Sequence, residues 1–343
     1  MNSSGVDALQ REAQRTRVKP ALVYAFAAAC LVWVFHDVHP RQLLASMSIA
    51  NWWLVALAII VDILTYVLQG VRWKLLLAPV GCLSSMRATQ GIYAGLFTNE
   101  LVPLRFGELV RAFLVSRWLS SRFTSVLPSM VIERFLDALW LVVTFGVAAI
   151  FVPIPKELTE AAAFLVGVVL LASLLFLWII FRKQEEDNCN RRRFSSRLLK
   201  GIALFASQLS RRFSDIVASN RFSLAALLSA GMLACQALAL WFMMLACHLG
   251  LPLGAGIIVL LVVRLGTAIP NAPANVGSFQ FFCVLALGLF GIEKTSAAGF
   301  SVVYFLALTV PLWILGLLAI NSTGIRLSTI LEGAALRRNS GHT

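Results

Sequence analysis

Apolar runs of roughly 17 to 25 residues, the length a helix needs to cross a bilayer, recur near 20–36, 52–70, 126–151, 161–181, 222–247 and 299–320. They predict six full transmembrane helices. Two further apolar stretches, 88–118 and 255–291, are interrupted halfway. The first break reads Asn99-Glu100-Leu101-Val102-Pro103-Leu104-Arg105-Phe106-Gly107 and the second Pro270-Asn271-Ala272-Pro273-Ala274-Asn275-Val276-Gly277-Ser278. Proline removes a helical donor and glycine frees the backbone, so Pro103, Gly107, Pro270 and Pro273 predict two short helices around a non-helical tip in each stretch.

The two breaks are copies of one pattern. Pro103 and Gly107 recur as Pro273 and Gly277, an offset of 170 residues that also pairs Gly146 with Gly316 and Phe135 with Phe305. Basic residues give an independent orientation, because they collect on the cytoplasmic side. The N-terminal tail, Arg72 with Lys74 and Arg87, Arg117 with Arg122, the stretch Arg182 to Arg221, and Arg326 with Arg337 and Arg338 are therefore expected inside. The segments around Asp37, Lys156 to Glu160, His248 to Gly254 and Glu293-Lys294 carry no basic excess and are expected outside.

Both sets fit only if each broken stretch enters and leaves on one face. The expected fold is an all-α polytopic membrane protein of six full transmembrane helices plus two re-entrant helical hairpins in an inverted repeat, a plan shared by many transporters. The expected segments are a cytoplasmic tail over 1–19, a first repeat over 20–151 with hairpin 88–118, a second over 152–325 with hairpin 255–291, and a cytoplasmic tail over 326–343. Within the second repeat, Phe194, Leu198, Ile202, Phe205, Leu209, Phe213 and Ile216 recur at helical spacing beside several arginines. That segment, 182–221, reads equally as an interfacial helix on anionic lipid or as a basic linker.

Composition closes off other classes. The chain is 59% hydrophobic and 13% charged, with mean hydropathy +0.84, too apolar for a soluble domain of its length. The net charge of +13 is accounted for by the inside-facing segments, so no nucleic acid is expected. The six cysteines lack CxxC spacing and the four histidines have no ligand pattern, so neither a disulfide framework nor a metal site is expected, and no cofactor. The apolar run after Arg11, Arg15, Arg17 and Lys19 reads as a retained span rather than a cleaved signal.

Charges inside a bilayer demand a reason, since each costs about 2.5 to 3.5 kcal/mol on insertion scales. Arg105, Glu108 and Arg111 repeat every third residue at the restart of the first hairpin, where two guanidiniums oriented by Glu108 suit a phosphate. Glu133, Arg134 and Asp137 lie in the third full span, Asp62 in the second, and Arg264 near the second tip. Asn271, Asn275, Ser278 and Gln280 add uncharged donors around Gly277, which would open a helix favouring an anion. Internal ion pairs, Arg105 with Glu108 and Arg134 with Asp137, are the plainer alternative, as is simple capping by Asn275 or Ser278.

The segments NELVPLRFGELVR (Asn99 to Arg111), ERFLD (Glu133 to Asp137) and PNAPANVGSFQ (Pro270 to Gln280), in that order, resemble the flippase-like membrane family typified by the transmembrane region of lysylphosphatidylglycerol synthases. The resemblance runs from about Ala50 onward. It implies translocation of a phospholipid or other lipid-linked headgroup between leaflets of a bacterial cytoplasmic (inner) membrane. It also implies that Arg105, Gly107, Glu108 and Arg111 form the first motif, Glu133, Arg134 and Asp137 the second, and Pro273, Asn275 and Gly277 the third. The chain ends at Thr343 with no soluble synthase domain expected.

The expected roles are headgroup binding by Arg105, Glu108, Arg111, Arg264, Asn271, Asn275, Gly277 and Ser278, with proton or ion coupling by Asp62, Glu133, Arg134 and Asp137. The expected partner is a membrane phospholipid or lipid-linked substrate, with a separate synthase or glycosyltransferase and a homo-oligomer as further candidates. Two other readings stay open: a membrane-embedded enzyme using Glu108 or Asp137 as acid or base, and a non-catalytic membrane partner of a separate synthase or glycosyltransferase.

Overall fold

A computed structural model describes residues 24–41, 43, 51–101, 106–151, 167, 220–267 and 272–323. Among them the secondary structure is entirely helical. In chain order the helices are α1 (Tyr24–Phe35), α2 (Trp52–Leu77), α3 (Ser85–Leu101), α4 (Gly107–Trp118), α5 (Phe123–Phe151), α6 (Asn220–Ala246), α7 (Leu253–Gly266), α8 (Ser278–Gly288) and α9 (Lys294–Ser322). A short 3-10 turn, Pro273–Asn275, precedes α8. The expected span 161–181, apart from Gly167, and the segment 182–221, apart from its last two residues, lie outside the described residues.

Three helices, α2, α6 and α9, are long and apolar enough to cross a membrane. At 29 residues α5 is as long as α9, but Glu133, Arg134 and Asp137 interrupt its apolar character. By contrast α4, α7 and α8 have 12, 14 and 11 residues, about 16 to 21 Å of helix against a hydrocarbon core of about 30 Å. Two boundaries differ from the expectation by more than a turn: α2 continues past residue 70 to Leu77, and α9 starts at Lys294 rather than near 299. Arg72, expected in an inside-facing loop, is instead a helical residue and fully buried.

The chain divides into two compact units interleaved in sequence, one comprising Met1–Ile60, Gly95–Glu108 and Leu238–Leu317, the other Val61–Ala94, Leu109–Ala237 and Leu318–Thr343. In the first, α7 and α8 pack antiparallel, so closely at Gly266 that a Cβ there would strike the Phe282 ring. At the other hairpin's tip, a Cβ on Gly107 would strike the Gly95 carbonyl, and the Gly107 N–H donates to Asn99 Oδ1 at 2.7 Å. Asn99 thereby satisfies an amide that opens α4, which is how the chain restarts a helix after the break.

Both tips lean on α9. Phe97 lies against Gly316, and the Phe279 ring sits 5.6 Å from Tyr304 and 5.5 Å from Phe305. At one end of this unit Lys294 Nζ donates to Asp37 Oδ2 at 3.0 Å and rides 4.9 Å over the Trp33 ring, while Asn51 N–H donates to the Ala246 carbonyl at 3.0 Å.

In the second unit Trp73 is the hub. It is fully buried, its Nε1 donates to Ser129 Oγ at 3.2 Å, and Gly91 gives it room, since a Cβ there would lie 3.1 Å from the ring. Nearby Leu76, Ile132, Leu136 and Ala225 form a buried apolar cluster joining α2, α5 and α6. At the base of the first hairpin Gly81 faces the Leu119 side chain, so the segment entering α3 and the one leaving α4 are neighbours.

Candidate functional site

The polar residues of α2 fall on one stripe. Asp62, Thr65, Gln69 and Arg72 are spaced three or four apart, all on the helix's inward side, and Asp62, Thr65 and Arg72 are buried. On α5 Glu133 and Asp137 are four apart, which aligns them along a single face. The two faces meet.

Glu133 is the centre of the arrangement. Its Oε1 accepts from Gln69 Nε2 at 2.8 Å, Arg72 Nη2 at 3.0 Å and Arg111 Nη1 at 3.2 Å, and its Oε2 accepts from Arg111 Nη2 at 2.8 Å. Arg72 Nη1 continues to Asp137 Oδ1 at 2.5 Å and to Ser229 Oγ at 2.8 Å. The Arg111 guanidinium also lies 4.3 Å over the Trp73 ring, an attraction strengthened where water is excluded. The side chains of Arg72 and Glu133 are 0% exposed and that of Arg111 5%, whereas Arg134, 3.5 Å from Asp137, is 51% exposed.

Two guanidiniums facing two carboxylates make a neutral, hydrogen-bonded core, the arrangement in which buried charge is tolerable. The Nε–H groups of Arg72 and Arg111 are nonetheless buried without a partner, so each guanidinium keeps one donor.

The expected site residues thus fall into two groups. Arg111, Glu133, Arg134 and Asp137 come together in the second unit, which also holds Asp62, close enough to act electrostatically on the Tyr93 hydroxyl. Glu108, Arg264, Asn275, Gly277 and Ser278 belong to the first unit. Arg105, Asn271, Pro103 and Pro270 lie outside the described residues. The fork of Arg111 is engaged by Glu133 of another helix, a partner that the three-residue spacing toward Glu108 did not suggest.

At the second tip Pro273 opens the 3-10 turn, Ala274 and Asn275 have φ of 57° and 54°, and Gly277 has φ of 87°. A Cβ on Gly277 would also strike the Ala27 carbonyl of α1, so position 277 admits only glycine. The cap differs from both expected forms. The Gly277 N–H donates to Gln280 Oε1 at 2.8 Å, and the Ser278 hydroxyl donates back to the Asn275 carbonyl at 3.0 Å.

Arg72, Gln69, Trp73 and Ser229 are site residues that sequence reasoning missed. The signal was present in the polar stripe of α2, but Arg72 sits beyond the apolar run and reads as a loop charge. Glu100, in the first unit, was missed as well: it lies beside the Trp313 indole, and its Oε2 is buried with no partner. Among the described residues no group of three or more His, Cys, Asp or Glu side chains is placed to hold a metal ion.

The family described as "Lysylphosphatidylglycerol synthase TM region" matches residues 21–316. The chain is also similar to "Glycosyltransferase AglD" of Haloferax volcanii, 23% identical over 374 aligned positions that cover 97% of this chain and 58% of that protein. The chain therefore spans little more than half the length of that relative.

Proposed function

Because the chain belongs to the lysylphosphatidylglycerol synthase TM region family, we propose that it moves a phospholipid or lipid-linked headgroup between the leaflets of a bacterial cytoplasmic membrane. The observation that carries this reading is the pair of helical hairpins. Each has an arm too short to cross a bilayer, the second tip carries the 3-10 turn Pro273–Asn275, and irregular backbone at membrane depth survives only where it is buried in protein or lines a wet cavity.

In this reading the hairpins are re-entrant. The headgroup is held at the tips by Arg105, Glu108, Arg264, Asn271, Asn275, Gly277 and Ser278. The Arg72–Glu133–Arg111 core positions the helix on which Arg111 stands, and Asp62, Arg134 and Asp137 are further charges of that unit. The contacts of Asp37 with Lys294 and of Asn51 with Ala246 support a common outer face for those segments, as the distribution of basic residues requires.

The test is exchange of a fluorescent phospholipid in liposomes containing the purified protein. Exchange faster than in protein-free liposomes, with the lipid chemically unchanged by mass spectrometry, is expected, and exchange no faster than in empty liposomes overturns the reading. The glycosyltransferase name of the relative favours a second reading, a membrane partner serving a lipid-linked sugar. It predicts that the chain moves nothing alone and raises sugar transfer when a glycosyltransferase is added.

A further inference from the structure

The carboxylates of the buried core are poor proton carriers. Protonating Glu133 would strand the buried Arg111 guanidinium and leave Arg72 with Asp137 alone, and Asp137 is held by Arg72 and Arg134. Glu100 is different. It sits at the end of α3, next to the Asn99–Gly107 contact, with the neutral indole of Trp313 beside it. One of its oxygens is buried and unpartnered. A carboxylate left that way in an apolar setting is far costlier than the neutral acid.

The charged and titratable groups on the elements around it are few among the described residues. On α3 they are Arg87, thirteen positions away and about 20 Å along the helix, and Tyr93. On α4 Arg117 lies near the far end, Glu108 has a partner of its own, and Arg111 is forked onto Glu133. On α9 they are Tyr304, packed on Phe300, and Lys294, nineteen positions before Trp313 and ion-paired with Asp37. Arg105 lies outside the described residues.

We propose that Glu100 is the proton-carrying residue of the transporter, taking one proton on its buried Oε2 from water and returning it to water in each cycle. This rests on the transport reading and adds the coupling ion to it. The step discharges the carboxylate and involves no electron transfer. Gln at position 100 would keep the size but remove the exchangeable proton.

Two measurements on the full chain test it. In liposomes with a one-unit pH difference, one proton per lipid biases the leaflet ratio of a labelled phospholipid toward about tenfold in the native protein. Glu100→Gln keeps that ratio near one. In lipid nanodiscs, infrared difference spectra between acid and alkaline pH should show a carboxylic C=O band in the native protein that is lost in Glu100→Gln.

A Glu100→Gln protein that still builds the native leaflet ratio, or an unchanged carboxyl band in that variant, overturns the proposal. Absence of any lipid movement by the native protein overturns the transport reading instead, and the infrared titration then still decides whether Glu100 exchanges a proton.

Discussion

Arg72 and Arg111 converge on a single carboxylate, so Glu133 has no inexpensive substitute. Glu133→Gln keeps the shape but leaves two buried cations short of countercharge, and a loss of about 3 to 5 kcal/mol is expected, read as a lower unfolding midpoint in detergent. Because Arg111 and Glu133 share one interaction, the double replacement Arg111→Met/Glu133→Met should lose less than the sum of its single changes, by roughly 0.5 to 3 kcal/mol. Strict additivity would show that the fork is not a stabilising contact. Outside the membrane-spanning segments, hydrogen bonds from Lys294 and then His36 hold the Asp37 carboxyl below the usual carboxylate range. A lowered folded-state value stabilises the fold above the ordinary value near 4, and the benefit fades as pH falls through the folded value. Melting curves of the native protein and Asp37→Asn should therefore differ at neutral pH and converge in acid.

At the scale of elements, glycines decide where the chain can fold back. Gly277→Ala combines a left-handed backbone with a collision against α1, and a loss of at least about 1 to 3 kcal/mol is expected. Gly146 on α5 has open space around its Cα, so Gly146→Ala should be neutral or stabilising by up to about 1 kcal/mol. Thermal unfolding of the two variants gives the comparison, and equal effects would contradict the packing described at the second tip. These breaks were legible in the sequence because Pro and Gly act locally. The meeting of Arg72 with Glu133 was not, since the two are 61 residues apart and only packing of α2 on α5 reveals it. The largest misreadings of helix ends were at α9, which starts five residues before the expected 299, and at α2, where the helix outlasts its apolar run and buries Arg72 against carboxylates.

For the molecule as a whole, the helical class and the membrane setting follow from the apolar runs and agree with the family match. Single cysteines at positions 37, 250 and 294 should react with an impermeant reagent from the same face of sealed vesicles. Labelling of 37 and 294 from opposite faces would contradict the ion pair. That pair joins residues 257 positions apart, and this has a consequence for biogenesis. At a translation rate of roughly 5 to 20 residues per second, Asp37 waits about ten seconds to a minute before Lys294 is even synthesised. Until then Asp37 has no Lys294 to pair with, and a nascent chain stalled before residue 294 cannot close this contact.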